Sequence, residues 1–143
     1  MTKISKTNSI EQVQKHLTAE CFNKLFIGGQ FVDPIDGQKM PTYYPATGEV
    51  FHELPKGNAN DIGSAIREAE AAWSDGAWAN MPASARGDLV SRMAQGIEEN
   101  IEVLAAIEAA DVGKPFRQAA MVLGGAASEG KYWASLGAVL DSE

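Results

Sequence analysis

The second half of the chain carries apolar residues three and four positions apart, the spacing of an amphipathic helix. Prolines, glycines and an asparagine interrupt this pattern and divide it into four predicted helices. We place them at Asn60–Trp73, from Pro82 to a break at Asn100, from Ile101 to a cap at Gly113, and from Pro115 to Leu140. The second helix is expected to bury Leu89, Val90, Met93 and Ile97.

The first half of the chain follows a different pattern, in which short runs of strand-forming residues alternate with turn residues. Leu25–Ile27 and Gln30–Val32 flank Gly28-Gly29, which predicts a β-hairpin with a two-residue turn. Glu49–Leu54 predicts a further strand. The prolines on either side of Tyr43-Tyr44 favour an extended backbone there, at the margin of a sheet.

A short helix is predicted ahead of these strands. Ser9 is a candidate N-cap for a helix that reaches about Glu20, with Ile10, Val13 and Leu17 along one stripe. The chain is therefore expected to contain an N-terminal arm (1–22), a short β region (23–57) and a helical region (58–143).

Composition excludes several classes of function. The chain has 143 residues, of which 45% are hydrophobic, and a net charge of −7. It has no basic cluster, so we expect no nucleic-acid partner. No apolar run approaches the roughly 18 residues that span a bilayer, so we expect no membrane insertion. The single cysteine, Cys21, cannot form an internal disulfide, which fits a cytoplasmic location.

The segment Glu108–Pro115 joins the third and fourth predicted helices. Gly113 stands where a left-handed C-terminal cap is expected, and Pro115 suits the first turn of the next helix. Lys114 adds a cation near the negative end of the helix dipole. Glu108 and Asp111 have the opposite charge at this end, so capping does not account for them.

Asp111 has two interpretations. Its carboxylate could cap local backbone amides, or it could be an oxygen ligand for a hard cation, completed by backbone carbonyls of an irregular segment. A phosphate-binding loop is excluded because the required upstream glycine is replaced by Glu108, and no Ser or Thr follows Lys114.

Five sequence motifs occur in an order that is typical of one family. They are Leu25–Val32, Tyr44–Glu49, the series Trp78, Met81 and Arg86, Glu108–Pro115, and Tyr132–Ala134. With these motifs, residues 23–137 resemble the N-terminal portion of an NAD(P)-dependent aldehyde dehydrogenase. Each motif alone is weak, whereas five in this order with matching spacing are specific.

The resemblance implies an α/β fold. In the family, this portion forms a small β element and the first helices of the coenzyme-binding domain. The Rossmann-like sheet follows later in the sequence, together with the catalytic cysteine, the glutamate base, the oxyanion asparagine and the glycine motif near the coenzyme. The resemblance therefore assigns no catalytic and no cofactor-binding residue to this chain, and Cys21 does not match the nucleophile's position.

The resemblance also implies two sites. The family's monovalent cation site, for K+ or Na+, corresponds here to Asp111 and the main-chain oxygens of Thr42 and Tyr43. A further ligand in the family comes from downstream residues. The helix after Pro115 lines the family's substrate tunnel, and Met121 and Gly125 are the residues expected to face it.

Two functions follow from these observations. The first is the N-terminal segment of an aldehyde dehydrogenase that, when complete, is a homo-oligomer oxidising an aldehyde with NAD or NADP. Its partner would be the remainder of the subunit or another protein chain, and alone it would be inactive and bind no coenzyme. The alternative is a stand-alone helical protein-interaction module derived from that family.

Overall fold

A computed structural model describes residues 10–140, and Ser9 lies outside this range. The helices and strands, in chain order, are α1 Ile10–His16, β1 Leu25–Ile27, β2 Gln30–Val32, β3 Lys39–Tyr44, β4 Glu49–Pro55, α2 Ala59–Ser74, α3 Ala83–Glu99, α4 Ile101–Val112, α5 Phe116–Ser135 and α6 Gly137–Leu140. They form two compact units. One contains the described residues up to Glu68 together with Ala106–Lys114, and the other contains Ala69–Ala105 and the described residues from Pro115 onward.

The predicted first hairpin is confirmed. Strands β1 and β2 pair antiparallel with Leu25 opposite Val32 and Ile27 opposite Gln30. The turn residues Gly28 and Gly29 have φ of +59° and +75°. Positive φ at both positions defines the turn whose twist matches that of the two strands, and glycine adopts it without strain.

The second hairpin, β3–β4, contains a β-bulge. Thr42 lies opposite His52 and Tyr43 lies opposite Val50, so Phe51 is the extra residue on β4. An extra residue leaves its backbone groups outside the regular ladder. The Phe51 carbonyl instead accepts a hydrogen bond of 2.9 Å from the side-chain amide of Gln14 in α1.

Helix α1 packs against β4 at this bulge. The Phe51 side chain is only 6% exposed, and Val13 and Leu17 are only 3% and 4% exposed. The predicted apolar stripe of the first helix is therefore confirmed at Val13 and Leu17. Among the residues of the first unit whose burial is described, these three have the largest buried apolar side chains.

The start of α2 is fixed by a polar network. The Asn58 side chain accepts hydrogen bonds from the backbone of Asn60 (2.8 Å) and Asp61 (3.2 Å), as an N-cap does. Asp61, 4% exposed, accepts hydrogen bonds from the backbone of Asn58 (2.8 Å) and of Ile35 (3.1 Å). It thereby ties the loop after β2 to the helix. A side-chain hydrogen bond from Asn58 also lowers the pKa of Asp36.

In the second unit, α3 packs against α5 and α6 through small residues. Ala94, Ala119 and Ala127 are almost fully buried. A β-carbon at Gly87 would collide with the Ala134 carbonyl oxygen, and one at Gly137 would collide with the Ala83 carbonyl oxygen. The backbones approach closely because glycine stands at both crossings.

Two expectations for the helices are wrong. Met93, expected to be buried, is 71% exposed, because the inner face of α3 is formed by the small residues Gly87 and Ala94. The last predicted helix ends at Ser135 and resumes at Gly137, where the chain meets the backbone of α3. The predicted break at Asn100 is confirmed.

Helix α4 ends at the predicted glycine cap. Gly113 has φ of +72°, and its N–H donates to the Ala109 carbonyl at 3.1 Å. A β-carbon at Gly113 would lie 3.1 Å from the β-carbon of Pro45 in the β3–β4 turn. Pro115 then serves as the N-cap residue of α5. Among residues 10–140, no helix is long and apolar enough to cross a membrane.

The close approach of α3 and α5 generates a stability prediction. Gly87→Ala should lower the free energy of unfolding by about 1–3 kcal/mol, because the new methyl group collides with the Ala134 carbonyl. Gly96 lies in the same helix, and a β-carbon there would meet no described heavy atom within 4 Å. Gly96→Ala should therefore raise the free energy of unfolding by about 0.5–1 kcal/mol. Urea denaturation of both variants measures the difference. Equal effects would contradict a tight helix crossing.

The glycine cap of α4 generates a second prediction. Gly113→Ala and Gly48→Ala both place a β-carbon at positive φ, at +72° and +74°, which costs about 1–2 kcal/mol. A β-carbon at Gly48 would meet no described heavy atom within 4 Å, whereas one at Gly113 would lie against Pro45. Gly113→Ala should therefore destabilise the chain more than its matched control in thermal unfolding. A smaller loss of stability in Gly113→Ala than in Gly48→Ala would contradict a close contact between Pro45 and the glycine cap.

Candidate functional site

The predicted cation ligands lie where the end of α4 meets β3. Thr42 donates a hydrogen bond from its hydroxyl to the Asp111 carboxylate at 2.7 Å, joining residues 69 positions apart. Tyr43 follows Thr42 across the β-bulge, and its side chain is 53% exposed. Asp111 and Thr42 are thus brought together within the first unit, with Tyr43 adjacent in the chain.

The carboxylate of Asp111 does not join the neighbouring ion pair between Lys114 and Glu108. Lys114 forms a salt bridge with Glu108, and each side chain is 28% exposed. Asp111 takes part in no salt bridge within the part of the chain that the structure describes. A lone carboxylate in the last turn of a helix faces the negative end of the helix dipole. Such a group is stabilised by a nearby cation.

The hydrogen bond of Asp111 bears on its two interpretations. Its carboxylate accepts from the side chain of a distant strand residue rather than from the local amides that a capping role would use. The hydroxyl of Thr42 is not part of the sequence-based expectation, which names only main-chain oxygens. Because Thr42 and Asp111 are far apart in sequence, no local pattern pairs these two side chains.

The chemistry of this site is that of oxygen ligands. Carboxylate and carbonyl oxygens suit hard cations, whereas sites for softer metals gather histidine and cysteine. Within residues 10–140, no group of three or more His, Cys, Asp or Glu side chains is arranged to hold a metal ion. Among the described residues, Asp111 is the single carboxylate of the candidate site, since Glu108 is engaged by Lys114.

His52 is a feature that no sequence pattern selects. It lies opposite Thr42 in the β3–β4 pairing, and its Nε2 is buried without a hydrogen-bond partner among residues 10–140. Asp61 is likewise buried. The burial of His52 and of Asp61 depends on contacts between separate segments, so no pattern within the sequence predicts it.

The expected tunnel residues lie on α5, in the second unit. Met121 is 70% exposed, and Gly125 has no heavy atom of its surroundings within 4 Å of where a β-carbon would stand. Positions four apart share one face of a helix. Further exposed apolar residues lie beside them on α5, with the exposed Glu129 between, and we name the apolar set the outer stripe: Met121, Val122, Gly125, Ala126, Tyr132 and Trp133.

The chain is similar in sequence to curated aldehyde dehydrogenases. Benzaldehyde dehydrogenase, mitochondrial, of Antirrhinum majus is 39% identical over 114 residues, which are 80% of this chain and 21% of that protein. The mitochondrial aldehyde dehydrogenase of Homo sapiens is 39% identical over 95 residues, or 66% of this chain and 18% of that protein. These matches lie in the N-terminal portion of the relatives, so the chain spans about a fifth of their length.

The fold is similar to that of solved dehydrogenases. A double mutant of betaine aldehyde dehydrogenase from Staphylococcus aureus, in complex with NAD+, superposes with a TM-score of 0.84 and 25% identity. The match covers 94% of this chain and 26% of that chain. The protein HpcC from Thermus thermophilus gives a TM-score of 0.80 with 29% identity, over 89% of this chain and 24% of that chain.

A family model described as "Aldehyde dehydrogenase family" matches residues 31–143, most of the chain. The five ordered motifs, the α/β fold and the similarity to curated and solved relatives agree with this match. The chain belongs to the aldehyde dehydrogenase family.

Proposed function

We propose that this chain acts as the N-terminal segment of an NAD(P)-dependent aldehyde dehydrogenase and is inactive by itself. The proposal rests on one observation: the chain matches only the N-terminal fifth of its relatives. The complete enzyme would convert an aldehyde to a carboxylic acid and transfer hydride to the nicotinamide coenzyme. The segment would contribute scaffold, a cation anchor and part of the substrate tunnel.

NAD is the coenzyme we propose for the complete enzyme, with NADP as the alternative. The support comes from the solved relative in complex with NAD+. The coenzyme would be held by the family's later Rossmann-like sheet, so we assign it no residue here. We also propose a cytoplasmic homo-oligomer, with the remainder of the subunit as the segment's partner.

The cation anchor would consist of the Asp111 carboxylate and the main-chain oxygens of Thr42 and Tyr43. This donor set fits K+ or Na+, because it is built from oxygen and carries one negative charge. The bulge beside Tyr43 interrupts the strand pairing at this point, and Thr42 already orients the carboxylate by its hydroxyl. With a single carboxylate, the site would be weak and structural.

The tunnel wall would be the part of α5 that bears Met121 and Gly125. Support comes from their exposure on one face of the helix and from the open space over Gly125. A glycine leaves room for a substrate beside the helix. A second candidate function, a stand-alone interaction module, is favoured by the same exposed apolar face, which a partner protein could cover.

A covalent chimera tests the main proposal. Residues 23–140 of this chain would replace the matching N-terminal portion of betaine aldehyde dehydrogenase from Staphylococcus aureus. Because the two folds superpose, the chimera should oxidise betaine aldehyde with NAD+ to within about tenfold of the parent enzyme. The chain alone should form no NADH. A folded but inactive chimera, or aldehyde-dependent NADH formation by the chain alone, would contradict the proposal.

The cation anchor is tested in the same chimera through its melting temperature. Replacing choline chloride by KCl or NaCl at constant ionic strength should stabilise the chimera. The expected gain is about 1.4 kcal/mol when the ion is at roughly ten times its dissociation constant. Asp111→Asn should abolish this gain, because it removes the only charged ligand that the described residues of this chain contribute.

Two variants serve as controls for the cation effect. Glu108→Gln removes a neighbouring charge that belongs to the Lys114 ion pair, so the gain should persist. Thr42→Val removes the hydroxyl but leaves the main-chain oxygen, so the gain should weaken without vanishing. A gain that Asp111→Asn leaves intact would place the ion elsewhere.

A further inference from the structure

We infer that helix α1 positions the candidate cation ligands through the β3–β4 bulge, with Gln14 as the positioning residue. Gln14 acts through the Phe51 carbonyl and holds no ion itself. The inference rests on the proposed cation anchor and extends it to a helix that lies ahead of residues 31–143, the segment matched by the family model. The coupling between Gln14 and the ligand Thr42 is measurable without any ion.

Helix α1 contacts β4 through an apolar face and one polar group. Val13 and Leu17, four residues apart, lie on the same face of the helix and are 3% and 4% exposed. Phe51, the extra residue of the bulge, is 6% exposed. Next to Val13 in sequence, Gln14 donates a hydrogen bond of 2.9 Å from its side-chain amide to the Phe51 carbonyl. The helix therefore holds β4 at the extra residue.

A second side chain fixes the chain just after α1. Asn23 donates hydrogen bonds from its side-chain amide to the carbonyls of Leu17 at 2.7 Å and Ala19 at 2.9 Å. Asn23 lies two residues before the start of β1, so the end of α1 is tied to the residues that lead into the β region. A segment held by a short connection binds its target at high effective concentration. Docking of α1 on the bulge is favoured in this way.

The bulge sets the cross-strand partners of the candidate ligands. Thr42 pairs with His52, and Tyr43 pairs with Val50. Phe51 stands between these two partners as the extra residue. If Phe51 rejoined the ladder, it would pair with Thr42 or with Tyr43, and one end of the hairpin would shift by one residue. A shift of one residue turns side chains to the opposite face of a sheet. Both ligands therefore keep their places only while Phe51 stays outside the ladder.

The hydrogen bond from Gln14 favours the bulged pairing over the regular one. A bulge leaves backbone groups of the extra residue outside the ladder, and a buried carbonyl without a donor is costly. Gln14 supplies a donor to the Phe51 carbonyl in the bulged pairing. An interaction made in only one of two states shifts the population toward that state. Gln14 thus selects the arrangement in which the ligands are placed as observed.

Thr42 carries the effect of the bulge to α4. Its hydroxyl donates a hydrogen bond of 2.7 Å to the Asp111 carboxylate. Hydrogen bonds weaken steeply when the donor is misaligned, so a shift in strand pairing at Thr42 would break this one. The proposed main-chain ligands belong to the same residue and to its neighbour Tyr43. Holding the bulge therefore holds the carboxylate's partner and both main-chain oxygens together.

A purely stabilising role for α1 leads to a different result. Burial of Val13 and Leu17 would then stabilise the first unit whatever the state of the bulge. Removing the Gln14 donor and removing the Thr42 hydroxyl would have independent effects, which add. Residues that belong to one network have effects that do not add. Additivity therefore separates simple stabilisation from positioning.

A double-mutant cycle in the full chain measures this coupling. Gln14→Met removes the donor and keeps a side chain of similar length, and Thr42→Val removes the hydroxyl and keeps a β-branched shape. Each change should lower the midpoint of urea denaturation. In the Gln14→Met background, the loss caused by Thr42→Val should fall to about half, because the bond to Asp111 is already weakened. Equal losses in both backgrounds would overturn the inference.

Two control variants separate the bulge from a general loosening of the first unit. Gln14→Lys retains a donor of comparable reach and should restore the full loss caused by Thr42→Val. Asn58→Ala removes the side-chain cap of α2 and should lower the midpoint equally with and without Gln14→Met. Coupling of Gln14 to Asn58 as strong as its coupling to Thr42 would contradict positioning through the bulge. Circular dichroism checks that each variant keeps its helicity.

An ion titration distinguishes the inference from the proposed anchor. The protein is a chimera with betaine aldehyde dehydrogenase that carries residues 10–140 of this chain and so includes α1. Gln14→Met should raise the KCl concentration that gives half of the thermal stabilisation by about threefold, the effect of losing one hydrogen bond, and Gln14→Lys should not. A KCl effect that Gln14→Met leaves unchanged would overturn the inference and keep the anchor. Coupling of Gln14 to Thr42 without any KCl effect would reject the anchor and keep Gln14 as the residue that positions Thr42 against Asp111.

Discussion

The contact between the end of α4 and the β3–β4 hairpin is the constraint on which the first unit depends. Two interactions form it: the hydrogen bond from Thr42 to Asp111 and the packing of Gly113 against Pro45. Both require the helix to stop abruptly, because a continuing helix would carry the chain past the hairpin. Positive φ at Gly113 provides that stop, and the glycine leaves the space that Pro45 occupies. The same end of the helix thus positions the chain and the candidate cation ligand.

Much of the fold could be predicted because it is encoded within short windows of sequence. The turn at Gly28-Gly29, the cap at Gly113 and the start of α5 after Pro115 all follow from backbone preferences of single residues. Other features depend on partners elsewhere in the chain. The bulge at Phe51 is completed by Gln14, and Asp61 is buried by its contact with Ile35. The prediction for Met93 is wrong because side-chain hydrophobicity gives little weight to the glycine and alanine positions that let two helices approach.

The candidate site divides in the same way. Asp111 could be selected because a carboxylate in the last turn of a helix opposes the dipole, and the family resemblance assigns it a role. The hydroxyl of Thr42 and the buried Nε2 of His52 could not be selected, since each acquires meaning only when β3, β4 and α4 come together. Sequence reasoning therefore proposed the charged member of the candidate site, and the structure supplied the Thr42 hydroxyl that donates a hydrogen bond to it.

The core of this chain leaves most of the large apolar side chains outside it. Most of its buried apolar residues are alanines, and within residues 10–140 no large side chain is fully buried. The hydrophobic contribution to stability grows with apolar area removed from water, and an alanine removes little. Meanwhile Trp73, Trp133 and Tyr132 remain more than half exposed. A partner that covered the outer stripe would bury larger side chains than the unit buries by itself, and a partner that binds only the folded state stabilises it. Stability and assembly are then linked through the same face of α5.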